Sequence, residues 1–497
     1  MPQLDSFLPV WIVMFPMVMT VVIFYVEQRS EKMRNALAVA TSVVTFLSVL
    51  ALYPGVMAGK IIEFELFQIL PNLAISFRVD ILSFSLALLS SFIWMLVAIY
   101  SIDYMCKEHG CNRYYPVLII TLASCMGIFM AGDLFTLFVF FELMSLISYV
   151  LVVHEETIEA LRAGYKYLIM TIIGGLALFF GIIITFELGG SVSLSNPVPL
   201  ISEPSNLAFF AFISFLIGFG MKAGMFPLHV WLPDAHPVAP SPASALLSGI
   251  MLKTGAYGLL RVIFHVYGIE FMQATGWTVI LAVVAVITIL LGSAVAITQE
   301  NLKRRLAYSS VGQMGYILLG ISILNERALM GNIFHIFSHA FMKSTLFLAA
   351  GAIILKTGKK NIKDLGGIGR QMPFTMFAFT LAALSMIGIP PFNGFLSKWT
   401  LSLGAMDAGV PFYVLILLIS SLLNGLYYLP IIISAFFGEE HGEGHQHQSI
   451  KINEAPYKML IPIAILAISC LLFGLLPSNL PFDLSRVAAE YLLRGGF

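Results

Sequence analysis

The chain has 497 residues, of which 59% are hydrophobic and only 11% charged, and its mean hydropathy is +0.92. That composition excludes a water-soluble globular protein and marks a polytopic membrane protein. The 27 basic and 27 acidic residues cancel, so total charge says nothing about partners. With no CxxC, Walker A, HExxH or dinucleotide fingerprint, neither a soluble catalytic domain nor a cofactor is expected.

Apolar runs of bilayer length predict about fourteen transmembrane helices. In chain order they lie near 8–26, 36–53, 80–101, 115–131, 134–153, 166–187, 207–225, 242–266, 277–298, 306–324, 329–355, 374–389 continuing past 394, 411–437 and 458–476. The tenth is diluted by Ser309, Ser310 and Gln313. The first is too long, and its flanks too poor in positive charge, for a cleaved signal peptide. No Ser/Pro linker divides the chain, so 1–497 reads as one all-α membrane domain. Its parts are three helices in 1–110, two runs of five in 115–266 and 277–437, and a polar loop, helix fourteen and a tail in 438–497.

Lysine and arginine alternate from side to side. Loops after odd-numbered helices hold 17 of them, from Arg29 to Lys458, whereas the other side holds Lys60, Arg78, Arg327, Arg486 and Arg494. By the positive-inside rule the odd loops are cytoplasmic and both termini lie outside a bacterial or archaeal cell membrane. Cys106 and Cys111 then face a reducing compartment, and with Cys125 and Cys470 they form no disulfide framework. Cys106, His109 and Cys111 lack a fourth metal ligand, and His441, His445 and His447 sit in a glycine-containing solvated loop, so no metal site is expected.

Two predicted helices are broken alike. Helix seven reads GFGMKAGMFPLHVWLPDAHPVAPSPAS, with five prolines from Pro227 to Pro242 after Lys222. Helix twelve reads SMIGIPPFNGFLSKW, with Gly388, Pro390, Pro391 and Gly394 before Lys398. Irregular backbone is tolerated at membrane depth only where it lines a cavity or is buried in protein. Matching breaks point to inverted repeats with a site at mid-membrane, here helices four to eight and nine to thirteen.

Ionisable groups inside apolar runs are the chemical signal. Lys222, Lys253, Lys343 and Lys398 each cost about 2.5–3.5 kcal/mol at bilayer depth on insertion scales, so a function must retain them. Glu142, near the middle of helix five with Ser145 and Ser148 one turn on, carries the opposite sign, and Lys222 is its expected partner. A buried lysine can exist as the neutral amine and so take up and release a proton. Helix eleven places His335, His339 and Lys343 at i, i+4 and i+8 on one face, a spacing suited to a proton relay. Asp80, Asp103 and Asp133 fall near helix ends, where capping or hydration explains them; Asp234 and His236 sit inside the Pro-rich entry to helix eight, and His229 lies between Lys222 and that entry. The sum is a path for protons or small cations. The competing reading is a passive scaffold whose buried charges only fix packing.

FVFFELMSLISYVLV around Glu142, MKAGMFPLHVWLPDAHPVAPSPASALLSG around Lys222, HIFSHAFMKSTLFLAAG and IGIPPFNGFLSKW resemble the antiporter-like subunits shared by respiratory complex I, Mrp sodium/proton antiporters and membrane-bound hydrogenases. The resemblance covers about residues 75 to 435 and is strongest to the Mrp D and hydrogenase types; the long lateral helix of the largest complex I subunit is not expected. It implies a polar mid-membrane axis moving protons through Glu142, Lys222, Lys253, His335 or His339, and Lys398, with Lys343 added by position. It further implies other membrane subunits as partners, including further antiporter-like chains, with a peripheral redox arm in the respiratory or hydrogenase-type case. The alternative is a Mrp D-type chain exchanging sodium for protons without redox chemistry.

Overall fold

The computed structural model describes residues 3–195, 198–438, 452–476, 478 and 480–495. The histidines of the loop at 438–457 lie outside that set. Every predicted span is helical. They are α1 Leu8–Glu27, α2 Glu31–Leu50, α3 Ile81–Met105, α4 Cys111–Phe129, α5 Leu134–Val152, α6 Ile158–Gly189, α7 Asn206–Ala223 and α8 Ser241–Tyr267. There follow α9 Thr278–Thr298, α10 Leu302–Ser322, α11 Glu326–Thr357, α12 in two pieces Pro373–Ile387 and Asn393–Asp407, α13 Pro411–Phe437 and α14 Tyr457–Leu475. Eleven helices among the described residues are long and apolar enough to cross a membrane by length and composition; α4, α10 and the two pieces of α12 are the exceptions.

Local chemistry starts the helices where it should. Ser30, Asp80, Asp133, Thr157, Ser205, Asn301 and Asn325 each accept a backbone N–H of the first turn of α2, α3, α5, α6, α7, α10 and α11. Each such cap contributes about 1 kcal/mol. Burial then sorts the helices. The most apolar windows of α8, α3 and α11 are 100%, 89% and 89% buried, so these three form the centre, whereas α1 and α2, at 33%, present their apolar faces outward as lipid-facing helices do. Inside a bilayer, close backbone approach replaces the hydrophobic drive, and α9 meets α10 where a Cβ on Gly292 would fall 2.4 Å from the Gly312 nitrogen.

The breaks fall where the prolines and glycines place them. After α7 the chain makes a 3-10 turn, Leu228–Trp231, and a short helix, Leu232–Val238, before α8. The pieces of α12 are separated by residues 388–392. Each break is the fourth helix of its run of five, in α4–α8 and α9–α13. α8 also contains two π-helical turns, Leu247–Met251 and Val262–Tyr267, which no proline announces.

The structure adds a small sheet to the helical reading. β1 Gln3–Asp5 pairs in parallel with β2 Ile61–Leu70, which pairs antiparallel with β3 Leu73–Val79 through a two-residue turn with Asn72 at φ 63°. A 14-residue helix, Leu480–Leu493, follows α14 and packs on α11 and α3.

Candidate functional site: a chain of buried lysines and histidines

Lys222, Lys253, Lys343 and Lys398 are 0%, 1%, 0% and 7% exposed, and among the described residues none forms an ion pair. Neutral acceptors hold all four. Lys222 Nζ donates to Tyr167 Oη of α6 at 2.7 Å and to Ser145 Oγ of α5 at 3.2 Å. Tyr167 Oη in turn shares a hydrogen bond of 2.6 Å with Ser148 Oγ. Ser145 lies one turn from Glu142 on α5, so Lys222 is bound one turn along that helix from Glu142, with which it forms no ion pair. The Glu142 carboxylate rests on α6 at Gly175, where an added Cβ would fall 2.4 Å from Oε1, and that oxygen has no hydrogen-bond partner.

The second cluster crosses the boundary between the two five-helix runs. Lys253 Nζ reaches the Ser248 carbonyl inside the first π-helical turn at 2.5 Å, and Ser248 Oγ is 2.7 Å from Ser310 Oγ of α10. Lys343 Nζ donates to the Leu306 carbonyl at 2.8 Å, to Ser309 Oγ, and to Tyr428 Oη of α13 at 3.4 Å. The His335 and His339 rings lie parallel within 4° at 6.0 Å between centroids, as the i, i+4 spacing predicts. His335 Nδ1 is 2.9 Å from Ser397 Oγ in the second piece of α12, while its Nε2 and both ring nitrogens of His339 have no partner. His339 lies within electrostatic reach of Lys253, Lys343 and Lys398.

Lys398 explains the break in α12. Its Nζ donates to the Met386 and Ile387 carbonyls at 2.7 and 3.1 Å and to Ser421 Oγ at 3.2 Å, so the ammonium binds acceptors that the interrupted helix leaves free. It also lies 5.0 Å above the Tyr316 ring, and Tyr316 stacks on His335.

The structure thus joins Glu142 to Lys222 through adjacent turns, and Lys253, Lys343, His339, His335 and Lys398 to one another. Among the described residues no hydrogen bond joins the two clusters. Buried polar atoms without protein partners extend along the same track: Glu142 Oε1, both His339 nitrogens, Ser344 Oγ, and the side-chain amides of Gln313 and Asn332. Buried polar groups require partners, so these orphans mark positions for water. Sequence reasoning missed Tyr167, Tyr316 and Tyr428, since a tyrosine in an apolar helix carries no signal of its own.

Of the helix-end acids, Asp80 and Asp133 are caps as expected, whereas Asp103 and Asp234 form ion pairs. Asp133 caps α5 and accepts from Ser76 Oγ at 2.5 Å; Asp234 pairs with Lys166 at 2.5 Å and Arg304 at 3.3 Å; Asp103 pairs with Lys458 at 3.5 Å. Asp80 caps α3 and also forms a buried 2.7 Å ion pair with Arg261 of α8, accepting besides from Tyr491 of the terminal helix at 3.1 Å. Burial opposes its charge, yet the Arg261 and Arg78 guanidiniums hold its carboxyl well below the usual range.

A membrane bundle with two broken helices and a buried Glu/Lys/His track defines the class of antiporter-like membrane subunits. Residues 131–424 match the transmembrane family described as NADH:quinone oxidoreductase/Mrp antiporter, and residues 70–115 match the N-terminus of chain 5 of NADH-ubiquinone oxidoreductase, complex I. The chain is 31% identical to NADH-quinone oxidoreductase subunit N of Desulforudis audaxviator over 99% of its own length and all of that protein's. It is 30% identical to the D component of the Na(+)/H(+) antiporter of Alkalihalophilus pseudofirmus over 83% of each, and 30% identical to hydrogenase-4 component B of Escherichia coli over 84% of this chain and 65% of that one. Its fold matches a chain of the Mrp complex from Dietzia with TM-score 0.87 at 25% identity, over 98% of this chain and 97% of that one. It also matches a chain of the archaeal membrane-bound sulfane sulfur reductase with TM-score 0.89 at 23% identity, over 99% of each. The chain therefore belongs to the family of antiporter-like membrane subunits that NADH:quinone oxidoreductase and Mrp antiporters share.

Proposed function

We propose that this chain moves protons across a cell membrane as one subunit of a larger membrane complex, through Glu142, Lys222, Lys253, Lys343, His339, His335 and Lys398. The observation that carries the reading is four buried lysines held only by hydroxyls and carbonyls. A carboxylate partner would fix the ammonium, whereas neutral acceptors supply hydrogen bonds without a countercharge that would have to be separated when the proton moves. Lys222, seated one turn from Glu142, is placed to approach or leave it, and Glu142 is the charge that biases the exchange. Transfer from Lys222 to Lys253 needs a bridging water or a side-chain swing across the gap between the clusters. From there His339 and His335 lead to Lys398, which controls release.

Odd numbers of helices per run support inverted repeats, and the Lys/Arg asymmetry supports cytoplasmic odd loops with both termini outside. Relatives in a quinone oxidoreductase and a hydrogenase support a redox-driven complex, in which this chain would be the ion-pumping part. The relative in a sodium/proton antiporter supports the second reading, a Mrp-type antiporter subunit. Sodium calls for several oxygen ligands, and Glu142 is the single carboxylate on the track, which favours the proton.

The test is proton uptake by the purified complex in sealed vesicles. Lys222→Ala and Glu142→Ala should lower it by about 100-fold, the scale of a lost proton-transfer group, with subunit assembly intact. Normal uptake by either variant sinks the proposed axis. Co-purification at native abundance with an iron assay separates redox enzyme from antiporter: iron–sulfur or nickel–iron partners mean the former, small iron-free membrane partners the latter.

A further inference from the structure

The loops that precede α4 and α6 meet on the Lys/Arg-rich face, and neither belongs to the axis described above. Residues 106–110 join α3 to α4, and residues 153–157 join α5 to α6. The sequence sets Cys106, His109 and Cys111 side by side, but folding divides them. The Cys106 and Cys111 thiols donate to the Ile102 and Met105 carbonyls of α3, at 2.9 and 3.1 Å. His109 instead joins Glu108 and Glu155. A ring nitrogen of His109 and one carboxylate oxygen of each glutamate lie within 4.8 Å of one another.

Contacts outside this triad hold the two loops against each other. His154 Nε2 is 2.9 Å from the His109 carbonyl oxygen, and the two imidazole rings are 5.5 Å apart between centroids. Arg113, in the first turn of α4, donates to the His154 carbonyl at 2.9 Å and to the Glu156 carboxylate. His154 is 0% exposed, its Nδ1 has no hydrogen-bond partner, and it lies within electrostatic reach of Glu155 and His109. A buried nitrogen is thus left unclaimed beside the triad. The carboxylates are unclaimed as well. Among the described residues neither Glu108 nor Glu155 forms an ion pair, although Lys303 and Lys360 share with them the wall of a cavity of about 710 Å³. The Lys303 amine is spent on the Ala239 carbonyl. Burial, and next the neighbouring Glu155, push the Glu108 carboxyl above its usual range. A divalent cation between two such carboxylates replaces their repulsion with attraction, and the cavity gives it a way in from water.

We propose that Glu108, His109 and Glu155 bind a divalent transition-metal ion, and that Zn²⁺ is the ion they suit. Mg²⁺ and Ca²⁺ take oxygen ligands alone, whereas an imidazole with two carboxylates is a mixed nitrogen and oxygen set of the kind zinc accepts. Three protein ligands leave the fourth tetrahedral position to water from the cavity. Zinc bonds of about 2.0–2.2 Å put ligand atoms roughly 3.4 Å apart, so the His109 ring, which is exposed, closes the set by a swing of about 1 Å. His154 is the positioning residue, since its bond to the His109 carbonyl fixes the loop that carries two of the ligands. A bound ion fastens the loop before α4 to the loop before α6.

The test is equilibrium binding of Zn²⁺ to the intact purified complex, read as ions bound per complex, with X-ray absorption on the loaded sample. His109→Ala and Glu155→Gln lie in loops outside the proton axis. Each should weaken one site by about tenfold or more while the subunits still co-purify. The Cys106→Ser/Cys111→Ser variant should bind as the wild type does. The absorption that His109→Ala removes should show nitrogen and oxygen at about 2.0–2.2 Å and no sulfur at about 2.3 Å. Equal binding by the wild type and His109→Ala overturns the proposal, as does a sulfur shell or loss of the site in the double cysteine variant. Millimolar Mg²⁺ should leave the ion in place, and displacement by it overturns the transition-metal assignment. If Glu155→Gln fails to assemble, Glu108→Gln removes a ligand of the same ion, and undiminished binding there overturns the site.

Discussion

Single charged residues inside this protein are of two kinds. Asp80 and Arg261 are both 1% exposed and form a buried ion pair at 2.7 Å. Removing one member strands the other, so Asp80→Ala should cost about 3–5 kcal/mol of stability by thermal unfolding in detergent. Because the folded carboxyl is held below its unfolded value, its contribution is present at neutral pH. It begins to fade as pH falls through the ordinary carboxylate range and is lost at the lower folded value. Lys398 is the other kind, a buried cation on neutral acceptors. Lys398→Met fills the same volume without desolvated charge and should raise thermal stability by about 1–4 kcal/mol while abolishing proton uptake. A scaffold role predicts the stabilisation with uptake unchanged. The lysines and Glu142 were legible in the sequence because charge inside an apolar run is conspicuous. Their partners were not, since Ser145, Ser309 and Tyr428 belong to ordinary helices until folding brings those helices together.

Among elements, the broken helices matter most. Gly388 ends the first piece of α12 at φ +92°, and a Cβ there would fall 3.0 Å from Lys398 Cδ. Gly388→Ala should therefore destabilise by about 1–3 kcal/mol for the backbone alone, and displace the amine from the Met386 and Ile387 carbonyls. The check is thermal unfolding combined with uptake, where an alanine variant matching wild type in both would contradict the assigned role of the break. The two breaks were plain from Pro390, Pro391 and the Pro227–Pro242 run. The π-helical turn that frees the Ser248 carbonyl for Lys253 was invisible, because SGIMLK contains no proline and its one glycine, Gly249, does not announce such a turn, which packs against α11. The small sheet was overlooked for a related reason. A ten-residue apolar strand such as IIEFELFQIL is ambiguous by itself, and only pairing with β3 settles it.

The whole molecule is a bundle whose apolar interior carries a polar track and whose outside is apolar as well. An apolar outside is what a bilayer permits, since Phe179, Phe180, Leu422 and their neighbours need no burial against protein. The proposed orientation rests on the basic loops, and it puts a cysteine at Lys60 and one at Lys363 on opposite sides. In a background with Cys106 replaced, an impermeant maleimide added to whole cells should label Lys60→Cys and spare Lys363→Cys. The reverse pattern would invert the topology.

Hydropathy, proline and charge act locally, so the chain read alone was enough for the membrane class, the fourteen helical segments, the alternation of basic and non-basic loops, the two breaks and the four buried lysines with Glu142, His335 and His339, although Arg261, buried in α8, was overlooked. Folding in three dimensions supplied the rest: which carbonyls and hydroxyls receive each lysine, the gap between Lys222 and Lys253, and the tie that Asp80 makes from α3 to α8 and the terminal helix. Those relations join residues up to 411 positions apart, and they depend on which helix faces pack together, a choice that hydropathy in a bilayer leaves open.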